Sequence, residues 1–321
     1  MAVYTDVGDE ELAAFTADYD LGDVVSCKGI AEGVENSNYL LRTERGTFIL
    51  TLYEKRVDPA DLPFFIALME HLASHGIACP TPVKARDGVA LRRLCGRPAA
   101  IVTFLDGLWP RRILPAHCAG VGGALARLHR AGEGFAMRRA NNLSVAGWRP
   151  LYEACRLRAH EVKPGLAEEL GRELDELERR WPADLPTGTI HADLFPDNVF
   201  FRGTTVSGLI DFYFACTDFL AYDVAVCLNA WCFETDGDFN VTKARLLLAN
   251  YRAERPLGTA EIEILPLLAR GSALRFLLTR LYDLLNHPVG ALVRPKDPLE
   301  YLRKLRFHRG ITRASAYGLD P

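Results

Sequence analysis

The stretch TIHADLFPDNVFF, residues 189–201, crowds His191, Asp193, Asp197 and Asn198 between apolar flanks. Ile190 on one side and Val199, Phe200 and Phe201 on the other have the β-branched and aromatic character of strands. The polarity between them is too dense for a strand interior, so the stretch reads as two strands holding a polar loop at the mouth of a cleft. Its spacing is H-x-D-x-x-x-x-N. Downstream, VFFRGTTVSGLIDF has the pattern of a short hairpin, and it delivers Asp211 thirteen residues after Asn198.

Two carboxylates and an amide in this order suit phosphoryl transfer from a nucleotide, which needs positioned charge more than covalent help. One carboxylate must orient an acceptor hydroxyl and eventually take its proton. An amide oxygen and a second carboxylate must hold magnesium, a hard cation that prefers oxygen ligands. The bland alternative is an Asx-rich turn beside an unrelated strand-end acid.

Working outward, the 321 residues suffice for a substantial core and about two domains. The balance of 38 basic against 41 acidic residues gives no basic excess that would point to nucleic acid or anionic lipid. The start, MAVYTDVGDEELAAF, lacks a basic region followed by an apolar run, and no long uncharged apolar stretch occurs, so a cytoplasmic protein is expected. The eight cysteines are scattered without a CxxC pair and read as reduced, mostly buried thiols.

The first third predicts strands plus one helix. NYLLRT and GTFILTLYE flank ERG as a hairpin. DPADLPFFIALMEHLASHG predicts a helix capped by Asp58, with Pro59 in its first turn, Leu62, Phe65, Ile66, Met69, Leu72 and Ala73 on its apolar stripe, and Gly76 at its end. GVALRRLCGRPAAIVTFL adds two strands before DGLWP breaks the pattern. From about Ala116 the signal turns helical: AGVGGALARLHRAG is one helix, and residues 159–180 predict a second with Leu166, Leu170, Leu174 and Leu177 on one side. Residues 223–317 are mainly helical by the same reading.

HADLFPDN followed by LIDF resembles the catalytic signature of the aminoglycoside phosphotransferase/choline kinase superfamily, small-molecule relatives of the protein kinases. GVENSNYLLRT, GTFILTLYEKR, LMEHLASHGIACPTPV, IVTFLDG, GALARLHRAG and YDVAVCLNAWCFE follow in the order and spacing of its bacterial homoserine kinase branch, over most of the chain. The resemblance implies an α+β, protein-kinase-like two-lobe fold. Residues 1–104 would form a small antiparallel sheet lobe with one main helix, and residues 105–321 a larger, mostly helical lobe. It implies ATP and Mg2+, with Asp193 catalytic and Asn198 and Asp211 holding the metal. His191 and Asp223 would organise the catalytic loop.

The same resemblance places a phosphate-covering loop at GIAEGVENSN, with Gly33, Asn36, Ser37 and Asn38, and an adenine-holding hinge at Thr103 and Leu105 of IVTFLDG. A polar hairpin and a plain interdomain strand are the alternatives. One departure stands out: Thr51 falls where kinases carry a strand lysine, and Phe65 where its glutamate partner belongs. Lys55, Lys28 or Arg42 would have to reach the phosphates from elsewhere, or magnesium and backbone would carry more of the charge. The implied acceptor, L-homoserine, needs groups for an ammonium and a carboxylate. Candidates are Asp218, Glu234, Asp236 and Asp238, and Arg270, Arg275 and Arg280, with Arg275 equally explained by a structural salt bridge. Hydroxylysine, choline or an aminoglycoside are alternative acceptors, and a nucleotide-binding regulatory module without turnover is the alternative from another class.

Overall fold

The computed structural model describes residues 5–30, 36–54, 57–287 and 295–319. Gly33 and Lys55 lie outside them. The chain divides into two compact units. The first comprises Met1–Gly107, Phe135–Met137 and Ser207–Tyr213, and the second Leu108–Gly134, Arg138–Val206 and Phe214–Pro321.

The first unit is built on a five-stranded antiparallel sheet. Its strands are β1 (Val24–Gly29), β2 (Ser37–Thr43), β3 (Gly46–Leu52), β4 (Arg92–Leu94) and β5 (Arg97–Thr103), in the order β1-β2-β3-β5-β4. The expected β2–β3 hairpin is present, with Thr43 opposite Gly46 and Tyr39 opposite Leu50. Alternation sorts its side chains: Tyr39, Leu41, Leu50 and Leu52 join Leu12 and Phe15 of helix α1 (Asp9–Thr16) in one apolar cluster. Thr51 therefore points to the opposite face.

Helix α2 (Leu62–Ser74) buries a wider face than the expected stripe, adding Phe64 and Leu68. It also begins later than the sequence suggests. Asp58 accepts the Ala60 N–H at 2.9 Å, but the turn it caps is a 3-10 turn, Pro59–Asp61. The cause is Pro63. An α-helix starting at Pro59 would place Pro63 where an N–H is required, whereas a start at Leu62 leaves it in the first turn.

The second unit carries α3 (Pro115–Ala131), α4 (Val145–Cys155), α5 (Ala159–Val162), α6 (Leu166–Arg180), α7 (Leu220–Trp231), α8 (Val241–Glu254), α9 (Thr259–Leu285) and α10 (Pro298–Arg309). Two short two-stranded sheets complete it: β6 (Thr187–Ile190) with β9 (Cys216–Phe219), and β7 (Val199–Arg202) with β8 (Thr205–Leu209), whose last residues pass into the first unit. The α+β composition expected from the sequence is what the chain adopts.

Residues 159–180 are two helices rather than one. Pro164 forces Lys163 out of the helical region, to φ −158° and ψ 130°, and Gly165 turns the chain at φ +74°. Leu166, Leu170, Leu174 and Leu177 are all buried on α6, as their spacing predicts. Helix α9 is buried on every side from Leu265 to Leu278, the pattern of a central core helix. None of the eight cysteines is disulfide-bonded, and six are buried. No helix among the described residues is long and apolar enough to cross a membrane.

Helices α3 and α8 approach closely at Gly122. A Cβ there would stand 2.0 Å from the Leu247 carbonyl oxygen, which is backbone and cannot swing aside. We expect Gly122→Ala to lower unfolding free energy by about 1–3 kcal/mol, as overpacked cores do. A urea midpoint unchanged from wild type would contradict this packing.

Candidate active site

Strand β6 ends at Ile190, and the chain turns through His191–Phe195 and a 3-10 turn, Pro196–Asn198, into β7. Its backbone is pinned from several directions. The N–H groups of His191 and Ala192 donate to the two carboxylate oxygens of Asp223, at 2.7 and 2.9 Å. Trp231 Nε1 donates to the Leu194 carbonyl at 2.7 Å, and Arg275 Nη1 donates to the Ala192 carbonyl. Asn198 Nδ2 donates to the Asp193 carbonyl at 2.8 Å and lies 3.3 Å from the Asp193 carboxylate. His191 is fully buried, and its Nδ1 accepts the Asp193 N–H at 3.3 Å. His191 thus braces the loop from within.

Only three non-glycine residues among those described have positive φ: Cys95, Ala192 (+62°) and Asp211 (+64°). For L-residues this left-handed region costs on the order of 1–2 kcal/mol. Two of the three stand in the two motifs singled out from the sequence, one directly before Asp193 and the other at Asp211 itself. Such strain persists only where surrounding contacts enforce it, and it gathers at functional sites.

Asp193 is partly buried. Burial raises its pKa above the usual carboxylate value, while the charges of Arg275 and His191 oppose that rise. Asp223, in the first turn of α7, is buried completely. Burial alone would raise its pKa, but His129 and the loop N–H groups prevail and hold it below the usual range. His129 Nε2 lies 3.1 Å from Asp223 Oδ2, and its Nδ1 lies 2.7 Å from the Tyr251 hydroxyl. Arg255 donates to that hydroxyl and pairs with Glu261 at 3.0 Å. This line from α8 through α3 to the loop of Asp193 is not legible in the sequence. LHRAG reads as helix, but nothing local in it marks His129 as a partner of a residue 94 positions away.

Asp211 follows the end of β8 and precedes a 3-10 turn, Phe212–Phe214. The first unit shows what occupies the positions of the missing lysine–glutamate pair. Thr51 donates to Asn38 Oδ1 at 2.8 Å, while Phe65 meets the Tyr213 ring edge-on at 5.7 Å. Tyr213 also packs against Tyr53 at 5.4 Å, with their hydroxyls 3.4 Å apart.

Several other expected ligands are engaged within the protein. Ser37 is fully buried and donates to Glu54 at 2.7 Å, and Asn36 Oδ1 accepts the Glu54 N–H at 3.3 Å. Thr103 Oγ1 accepts the Thr81 N–H at 2.9 Å, and Leu105 is half-buried beside Gly208. Asp218 is held by Asn141 Nδ2 and by the Phe219 N–H, both at 2.7 Å. Glu234 pairs with Lys243 at 2.6 Å and accepts from Asn240 at 2.8 Å, and these contacts depress its pKa. Arg270 pairs with Glu173 and Glu176, and Arg280 with Glu300. Arg275 makes no carboxylate pair among the described residues.

The chain matches the family described as "Phosphotransferase enzyme family" over residues 26–257. It is 65% identical to the homoserine kinase of Paramagnetospirillum magneticum and 66% identical to that of Rhodospirillum rubrum, with all of this chain and all of each relative covered. It is 67% identical to the homoserine kinase of Bradyrhizobium diazoefficiens, over 100% of this chain and 98% of that one. Among solved structures it is similar in fold to an amicoumacin kinase, with TM-score 0.68, 16% identity, and 94% and 92% of the two chains covered. A choline kinase from Cryptosporidium parvum has TM-score 0.67 at 14% identity, covering 94% of each chain.

Proposed function

Because this chain belongs to the phosphotransferase enzyme family, we propose that it transfers the γ-phosphoryl group of ATP to the side-chain hydroxyl of L-homoserine. The products are O-phospho-L-homoserine and ADP. The observation that carries this reading is identity of 63–67% to homoserine kinases along essentially whole chains. The pinned, strained loop at Asp193 supports the assignment of the chemistry to that residue.

In this reading Asp193 orients the homoserine hydroxyl. The hydroxyl oxygen forms the new bond to the γ-phosphorus, the bond from that phosphorus to the ADP oxygen breaks, and Asp193 receives the hydroxyl proton. Asn198 spends its Nδ2 on Asp193, and its Oδ1 accepts no hydrogen bond among the described residues. That free amide oxygen and the Asp211 carboxylate are hard oxygen donors of the kind Mg2+ prefers, and we assign the metal to these two residues. Bound there, the ion would neutralise charge on the phosphates. The first unit is assigned to the nucleotide and the helical unit to the acceptor.

The test is a panel of acceptors with purified protein, ATP and magnesium. L-Homoserine should exceed choline, hydroxylysine, serine and kanamycin in kcat/KM by about ten-fold or more, since groups placed to hydrogen-bond one substrate reject analogues that leave them unpaired. Efficient turnover of another acceptor with none of homoserine would remove the substrate and leave phosphoryl transfer standing.

A further inference from the structure

Arg275 lies on the core helix α9 with 1% of its surface exposed. Its Nη1 donates to the Ala192 carbonyl, its guanidinium lies 4.3 Å from the Phe276 ring centroid, and its Nε has no hydrogen-bond partner among the described residues. Phe276 in turn packs edge-on against Phe195 at 4.9 Å, so two successive residues of α9 grip the loop on either side of Asp193. A buried guanidinium with no carboxylate partner among the described residues is a poor device for stability, since an apolar side chain of similar volume commonly serves as well. Besides placing its charge near Asp193, it acts on the loop backbone. It fixes the carbonyl of the one loop residue held at φ +62°.

We propose that Arg275 is a positioning residue, which holds the loop of Asp193 in its strained form through the Ala192 carbonyl and leaves the acceptor's carboxylate to other groups. The inference rests on the phosphotransfer reading for its kinetic consequence, but not for its structural one.

The experiment compares Arg275→Met, Arg275→Lys, Ala192→Gly and the Ala192→Gly/Arg275→Met double variant. Misplacing the reacting group by a fraction of an ångström to an ångström lowers kcat by about a hundred-fold, so Arg275→Met should do so. Its KM values for homoserine and ATP should stay within about three-fold of wild type, because uniform binding is untouched. Arg275→Lys, which keeps a donor and a charge, should recover part of the rate. Glycine adopts positive φ without steric cost, so the loss caused by Arg275→Met should shrink in the Ala192→Gly background.

A raised homoserine KM with unchanged kcat would reassign Arg275 to acceptor binding, and equal losses in both backgrounds would break its link to Ala192. Hydrogen exchange across residues 190–195 supplies a readout that needs no acceptor. It should accelerate in Arg275→Met, and unaltered exchange overturns the proposal. Should wild type fail to phosphorylate homoserine, the substrate reading fails while the exchange result still decides the role of Arg275. If Arg275→Met does not fold, Arg275→Lys in the two backgrounds decides the same question.

Discussion

Asp193→Asn should lower kcat by about 10³-fold or more, at the upper end of what a positioned base contributes, with nucleotide affinity and thermal stability close to wild type. Asparagine has nearly the same shape, and its amide oxygen can still receive Asn198 Nδ2. The loop's other anchors, Asp223, Trp231 and Arg275, bind backbone groups that the substitution leaves alone. What disappears is a proton acceptor. Burial makes the Asp193 carboxylate a stronger base than a surface aspartate, while Arg275 and His191 oppose that rise and favour its charged form. Steady-state kinetics with homoserine, a melting curve, and titration with a non-hydrolysable ATP analogue measure the three quantities. Near-normal turnover by Asp193→Asn would assign the proton to another group.

The parts of this molecule that were legible in its sequence are those set by local pattern. Alternation in NYLLRT and GTFILTL specifies the β2–β3 hairpin because one face must be apolar. Residues 223–317 read as mainly helical, but the place of α9 at the centre was not legible, since a helix buried on every side shows no preferred face. Where two signals competed, the stronger period misled. Leucines at 166, 170, 174 and 177 suggested one long helix from 159, although Pro164 and Gly165 stand at its break. Strand β6 is expected from Ile190, but its partner β9 is four residues long and pairs with it across an interval containing the loop 191–195, so β9 does not announce itself. The Asp193, Asn198 and Asp211 pattern stands out in the sequence because the chemistry proposed for it demands residue types at fixed spacing. Partners are another matter. Glu234, Arg270 and Arg280 were visible as charges, but the Lys243, Glu173 and Glu300 that engage them lie on other elements or other turns. His129 and Tyr251 were hidden for the same reason: a helix period reports which face is buried and not what a buried polar group meets.

Asp223→Asn tests that hidden network, and its effect should fall on stability as well as rate. The carboxylate oxygens receive three donors: the N–H groups of His191 and Ala192, and His129 Nε2. An amide offers one acceptor atom and turns an NH₂ toward the remaining donors, which are buried and cannot find water. Breaking a buried charged network in this way costs about 3–5 kcal/mol. The loss should depend on pH in a fixed direction. The folded-state pKa of Asp223 is depressed, so its contribution is fully present above the unfolded value of about 4. It is lost progressively as pH falls through the lower folded value. Urea unfolding of wild type and variant should therefore show the full gap at neutral pH and a shrinking one in acid. A gap that stayed constant down through the carboxylate range would mean that the charge of Asp223 is not what ties the loop of Asp193 to α7. Because Asp223 holds Ala192 from the amide side while Arg275 holds it from the carbonyl side, kcat should fall in Asp223→Asn even under conditions where the variant remains folded. Loss of stability without loss of rate in the folded fraction would leave Arg275 as the anchor that sets the geometry of Asp193.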